Sequence, residues 1–350
     1  MRITTSSLWI YILKFNNSIK SHRIKFLGLW LLSVFNKRYL AIQLDPVLAC
    51  NLRCKMCYFT DEEYVKKNMK GIFTLEDLNK IAKINFKNAL KLQIGCGAEP
   101  TLFKHNTTLI ELAKHYKIPY ISMVTNGNLL TENDIIDFSN AGLNEFIISM
   151  HGVTKETYED MMGKAKYEKF HEILENISAE KKRNPNLRLR INYTFNEDNF
   201  FEIKQFFERY GHYKIDIIQL RPIDKIGETT YSNFSLKNIE ADYSEVLNFL
   251  NCEAKKRGIT LLAPMSIIRD ENVSLVIESN NNSSYLKPYT YCYGSPKFYW
   301  KNDFDWKKET FSCWKKRHHW NYQLFKNIFI SKNKLEKPNR NMLNYSIEMN

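Results

Sequence analysis

The sequence predicts an α/β protein, a partial (β/α)6 TIM-like barrel with a small C-terminal cap. Three observations predict it. Six short apolar runs alternate with stretches of helical spacing between residues 42 and about 222, the pattern of parallel βαβ units. Six units are too few for a closed eight-stranded barrel. Polar or glycine-rich residues follow nearly every run, and in open α/β folds the chemistry sits at that carboxyl end of the strands.

Each element has its own signal. Ile42–Leu48 reads as the first strand, with Asp45-Pro46 as a blemish, because proline donates nothing to a ladder. Thr74–Asn85 has helical spacing, with Thr74 as N-cap and Asp77 at N3. Ala89–Ile94 is a strand ending in Gly95, Leu109–Tyr116 a helix, and Tyr120–Val124 a strand ending in Thr125-Asn126-Gly127. Thr131 caps a helix to Ala141, and Glu145–Ser149 is a strand ending at His151-Gly152. Thr154–Met162 and Tyr167–Lys181 are helical, and Leu187–Phe195 alternates as a strand. Phe200–Tyr210 is helical, and Ile215–Leu220 is a strand ending in Arg221-Pro222. A long helix, Ile239–Lys256, leads to Ile259–Leu262. The pattern then weakens into an Asn/Ser stretch near 279–284, followed by an aromatic-rich piece with Cys292 and Cys313. The organisation is a basic amphipathic N-terminal segment (1–40), a core (41–230), a C-terminal extension (231–314) and a basic tail (315–350).

With 44% apolar and 25% charged residues the chain buries a full core, and disorder, collagen and coiled coil are excluded. The longest apolar run, Phe26–Phe35, has ten residues, against roughly 18 for a spanning helix. The net charge of +13 is unevenly placed. Residues 1–44 hold seven basic residues and no acid, and residues 315–350 hold eight basic residues and two acids. The stretch between them is balanced, with 36 of each sign. A uniformly basic nucleic-acid binder has a different distribution, so no specific nucleic acid is expected. Basic ends suit an anionic membrane surface, an acidic partner or RNA, or are simply solvated.

Seven cysteines, three of them within eight residues, do not form a secreted disulfide framework. No signal peptide is evident, so a cytoplasmic location is expected, with peripheral membrane contact through the basic ends as an open addition. Cys50, Cys54 and Cys57 follow the first strand at offsets 0, 4 and 7. Three thiolates so placed can hold three irons of a cubane cluster and leave the fourth iron open. A zinc site is the rival; it needs a fourth donor, for which His105 and Cys96 are candidates.

This CxxxCxxC motif after the first strand of a six-fold βα array resembles the radical S-adenosylmethionine (SAM) superfamily. The resemblance covers about residues 41–225. It implies a [4Fe-4S] cluster on Cys50, Cys54 and Cys57, with SAM chelating the open iron. The reduced cluster then cleaves SAM to a 5′-deoxyadenosyl radical, which abstracts hydrogen from a substrate. It also implies an electron donor of flavodoxin or ferredoxin type. The family's glycine run followed by Glu-Pro, which contacts the SAM amino group, corresponds to Gly97, Ala98, Glu99 and Pro100, with Ala98 replacing one glycine. Ser149 matches the serine that faces the SAM ribose. The family's Arg-Gly pair is replaced by Met162-Gly163, which leaves the partner of the SAM carboxylate unassigned.

The run Cys292-Tyr-Gly-Ser-Pro296 and Ser312-Cys313-Trp314 resembles the opening of the auxiliary-cluster (SPASM/twitch-like) extension of peptide-modifying radical SAM enzymes, but no cysteine follows Cys313. A degenerate, cluster-free cap is expected. The substrate class this branch implies is a peptide or protein side chain. The alternative is a sugar, lipid-linked or other small metabolite, and the remote one a non-catalytic protein with structural zinc. Packing of residues 1–40 on the barrel is favoured over membrane contact.

Overall fold

The computed structural model describes residues 18–223, 231, 235–264, 267, 284–301, 303–335 and 348–349. Residues 1–17 of the N-terminal segment, most of the Asn/Ser stretch, Asn302 and most of the end of the basic tail lie outside the described residues. The strands are β1 (Leu40–Leu44), β2 (Arg53–Cys54), β3 (Ala89–Ile94), β4 (Tyr120–Thr125), β5 (Glu145–Met150), β6 (Met162–Gly163), β7 (Arg188–Phe195), β8 (Ile217–Pro222), β9 (Thr260–Ala263), β10 (Tyr291–Ser295), β11 (Phe298–Tyr299) and β12 (Glu348–Met349). The helices are α1 (His22–Val34), α2 (Glu62–Asn68), α3 (Leu75–Asn85), α4 (Asn106–His115), α5 (Glu132–Ala141), α6 (Lys155–Met161), α7 (Tyr167–Arg183), α8 (Phe206–Tyr210), α9 (Glu240–Lys256), α10 (Lys287–Thr290), α11 (Phe311–Arg317) and α12 (Trp320–Lys326).

One ten-stranded sheet runs β11-β10-β1-β3-β4-β5-β7-β8-β9-β12, and β2 pairs separately with β6. The six expected strands lie in sequence order at its centre, parallel throughout. The extension adds two more parallel strands: β10 pairs with β1, and β9 pairs with β8. Eight parallel strands therefore stand side by side, flanked by antiparallel β11 and β12. The sheet is open.

Side chains alternate across each strand. Ile42, Leu44, Leu92, Ile94, Ile121, Met123, Phe146 and Ile148 are buried against the helices. Residues of the other parity form the concave face. Cap chemistry sets the helix starts as expected. Thr74 accepts the Asp77 N–H at 3.1 Å while Asp77 accepts the Thr74 N–H at 3.0 Å, and Thr131 and Asp134 repeat this box. α5 ends at Gly142, whose φ of +110° favours glycine. Two expectations shift. The first strand stops at Leu44, before Asp45-Pro46, and Phe200–Tyr210 splits into a 3₁₀ turn (Phe201–Gln205) and the short α8.

The described part of the N-terminal segment, residues 18–40, packs on the fold. Phe26 of α1 meets Tyr289 at 5.4 Å, Trp30 meets Phe325 at 5.4 Å, and Ser33 donates to Asn321 at 2.7 Å. Arg38 anchors the entry to the sheet by donating to the carbonyls of Phe86, Ala89 and Tyr116.

Candidate functional site

The cysteine loop leaves the carboxyl end of β1 and is pinned at β2. Arg53–Cys54 pairs antiparallel with Met162–Gly163. A Cβ on Gly163 would lie 2.7 Å from the Arg53 carbonyl, so this approach requires glycine. Within the loop the Leu52 N–H donates to Cys50 Sγ at 3.4 Å, and the Cys57 N–H donates to the Cys54 carbonyl at 2.9 Å. Arg53 donates to the carbonyls of Cys50 and Leu52.

The loop after β3 is held against it by three links. The Glu99 N–H donates to the Ala49 carbonyl at 2.9 Å, and the Tyr58 hydroxyl donates to the Gly97 carbonyl. Asp45 is the third link. Its carboxylate accepts from the N–H groups of Cys96 (2.6 Å) and Gly97 (3.0 Å) and from the Tyr293 hydroxyl of β10 (2.9 Å). Burial pushes Asp45 up to about 6, and these donors oppose the rise.

Glu99 is buried, and its carboxylate is fully engaged by the protein. Oε1 accepts from the Thr101 N–H (3.1 Å), the Thr101 hydroxyl (2.6 Å) and the Thr125 hydroxyl (2.6 Å), and Oε2 from the Asn126 N–H (2.9 Å). Glu99 therefore ties the ends of β3 and β4 together and caps the turn at Pro100. Asn126 in turn donates to Asn51 Oδ1 at 2.9 Å and lies 4.0 Å from Cys50 Sγ. Ser149, half-buried at the end of β5, is in register with Asn192 of β7, which is in register with Gln219 of β8. Asn192 Oδ1 is buried and makes no hydrogen bond among the described residues.

The concave face below this mouth is polar and charged. Arg190 grips the fully buried Glu145 in a bidentate pair at 2.8 and 3.0 Å and also donates to Gln219. Burial, with Arg190 nearby, pushes Lys91 down to about 8. Burial beside Arg221 lowers Lys287 to about 8 and His151 to about 4. Cys96 lines the same face, 2.7 Å from Gln43 Oε1. Asn199, by contrast, is buried and internally satisfied, donating to the His151 and Thr194 carbonyls.

The thiols suit a metal cluster. Burial pushes Cys50 up to about 12, with Glu99 and Cys57 adding to the rise. Cys54 lies well above the usual thiol range and Cys57 is raised, burial being the main cause in both. Three soft donors that resist ionising alone are stabilised as thiolates by a metal's positive charge. Among the described residues no three His, Cys, Asp or Glu converge closely enough to share one ion. The other cysteines stand apart on separate elements: Cys252 exposed on α9, Cys313 exposed on α11, and Cys292 fully buried in β10, 3.8 Å from Asn85 Nδ2. Cys292 thus packs in the core behind the sheet, away from the concave face.

The structure brings the three cysteines, Gly97–Pro100 and Ser149 to the same carboxyl end of the sheet. Asp45, Tyr58, Tyr293 and the Arg190–Glu145 pair were not singled out by the sequence. The signal available for Asp45 was its parity with Gln43 on β1.

Comparisons with known proteins agree with this architecture. Residues 45–208 match the Radical SAM superfamily model. A probable GTP 3′,8-cyclase of Sulfolobus acidocaldarius is 26% identical over 216 residues, which cover 61% of this chain. The chain spans 66% of that relative's length, just under two thirds. Among solved structures, Streptococcus suis SuiB bound to S-adenosylmethionine aligns with a TM-score of 0.58 at 15% identity, covering 81% of this chain and 67% of that one. SuiB bound to the precursor peptide SuiA aligns at 0.56 and 14%, covering 78% and 61%. Among the described residues no helix is long and apolar enough to cross a membrane. Through residues 45–208 the chain is thus similar to the radical SAM superfamily, whose members use a [4Fe-4S] cluster and S-adenosylmethionine.

Proposed function

We propose that this chain is a radical SAM enzyme in which Cys50, Cys54 and Cys57 hold the cluster, and SAM lies against Gly97–Pro100 and Ser149. The observation that carries the reading is the coupling of the cysteine loop to the loop after β3, through Tyr58–Gly97 and Glu99–Ala49. When bound, cluster and cofactor supply one-electron chemistry that ends in hydrogen abstraction. The chain's own residues do the positioning. Asp45 and Glu99 fix the loop backbone, Asn126 braces the cysteine loop, and the sheet shields the mouth from below. An electron donor of flavodoxin or ferredoxin type completes the cycle. Replacing Cys50, Cys54 and Cys57 together with Ala abolishes reconstituted iron and 5′-deoxyadenosine release, whereas Cys96→Ala retains iron. SAM cleavage by the triple variant would sink the reading.

For the substrate, the concave face favours a small polar, anionic molecule. Lys91, Arg190, Arg221 and Lys287 gather there against Asp45 and Glu145. GTP, the nucleotide for which the Sulfolobus relative is named, is of that class. A peptide or protein side chain is the second reading, and the fold likeness to a peptide-bound enzyme is compatible with it. Release of 5′-deoxyadenosine above the substrate-free rate separates them. Stimulation by nucleotides or sugar phosphates supports the first; stimulation by peptides alone overturns it.

A further inference from the structure

Helix α1 is apolar on two sides. One side packs inward through Phe26, Leu29 and Ser33. On the other, Ile24, Leu27, Leu31 and Val34 recur at three- and four-residue spacing, with Leu32 and Phe35 beside them, all exposed. Phe35 is 66% and Ile24 57% exposed. The patch continues onto the C-terminal helices. Trp30 meets Phe325 at 5.4 Å, Phe325 meets Phe329 at 5.3 Å, and Phe329 is 68% exposed. A patch of this kind on a soluble protein marks an interaction site.

Its rim is basic. Lys20, Arg23, Lys37, Lys326, Lys332 and Lys334 are exposed around these elements. No Asp or Glu occurs in residues 18–44 or 310–335. The described parts of the two basic ends, residues 18–44 and 315–335, pack against each other. His22 Nε2 lies 2.9 Å from the Ile330 carbonyl, and Ser33 donates to Asn321. Lys25 lies close enough to Lys332 for the latter's charge to lower its pKa further, after burial. Gathering like charges around exposed leucines gains the fold nothing. An anionic lipid surface neutralises the charges and buries the leucines at once, the signature of an interfacial helix. The location also suits. The chain leaving α1 enters the amino ends of β1 and β3 through Arg38, so the cysteine loop lies at the far end of the strands.

We infer that the α1–α12 face docks peripherally on an anionic membrane surface. The assay is sedimentation of the full chain with phosphatidylglycerol or phosphatidylcholine vesicles. Two variants accompany it, Leu27→Ser/Leu31→Ser/Phe35→Ser and Lys326→Gln/Lys332→Gln/Lys334→Gln. All six positions are exposed, and melting temperature verifies folding. The full chain is expected to pellet with phosphatidylglycerol at low salt and not with phosphatidylcholine. The apolar variant should weaken binding at least about tenfold, and the lysine variant on the order of a hundredfold. Three outcomes overturn the inference: no binding to phosphatidylglycerol at low salt, equal binding to both lipids, or binding untouched by the apolar variant. A wild-type dimer that the apolar variant converts to monomer, with no vesicle binding, assigns the face to a second copy of the chain instead.

Discussion

Replacing Glu99 with Ala tests whether this carboxylate is a strut or a ligand. In the folded chain it is the acceptor for two backbone N–H groups, of Thr101 and Asn126, and two hydroxyls, of Thr101 and Thr125. The hydroxyls can turn to other partners on truncation. The two N–H groups cannot, and each buried donor left unpaired costs about 1–3 kcal/mol. Removing a buried carboxylate whose pKa is raised by burial returns part of that. The net loss is about 3 kcal/mol, or about 5 °C in melting temperature for a chain of this size. Glu99→Gln keeps Oε1 for the two threonines but turns an amide NH2 toward the Asn126 N–H, so it should cost about 1–2 kcal/mol. The assay is urea and thermal unfolding of the metal-free protein, with SAM binding measured in parallel on the reconstituted one. If Glu99→Ala melts within a degree of the parent while SAM affinity collapses, the strut argument is wrong and the carboxylate acts on the ligand directly.

His151, held near 4 by burial and Arg221, is neutral when folded but takes a proton below about 6.5 when unfolded. Its stabilising contribution is therefore full above pH 6.5 and is lost as pH falls toward 4, by up to about 3 kcal/mol. Asp45, raised to about 6, opposes this, losing stability as pH rises from about 4 to 6. His151→Gln should thus be less harmful at pH 4.5 than at pH 7.5 in urea titrations; an equal effect at both would refute the assignment. Gly95→Ala places a Cβ 2.3 Å from the Val124 carbonyl at a φ of +82°, so a loss above about 3 kcal/mol is expected and a soluble variant of parental stability would contradict it. Arg190→Met removes the bidentate partner of the buried Glu145 at a cost of about 3–5 kcal/mol, and Glu145→Leu/Arg190→Leu should recover much of it by the same unfolding assay.

The six central strands were legible because each is a short apolar run closed by polar or glycine residues, and the caps at Thr74 and Thr131 because their boxes are local. Asp45 was misread for the same reason that Pro46 was noticed. A proline ends a ladder, but only tertiary structure shows that the residue before it reaches across to Cys96 and Gly97. The sequence found Glu99 but not what it bonds, since Thr125 and Asn126 belong to the next strand. β10 was read as part of a cap because its pairing with β1 joins residues about 250 apart, and no local pattern encodes such a partner. The concave charges escaped attention because Lys91, Glu145 and Arg190 sit singly in separate strands and meet only across the sheet.

That late return of β10 to β1 also orders events in time. Until residues 291–295 have left the ribosome, the strand that leads into the cysteine loop offers an unpaired edge to solvent. Contacts this distant in sequence form slowly, and an exposed parallel edge is prone to pair with other chains meanwhile. Fragments ending near residue 230 should therefore be recovered as aggregates, and the complete chain should refold in a phase whose rate is set by this last closure rather than by its local helices.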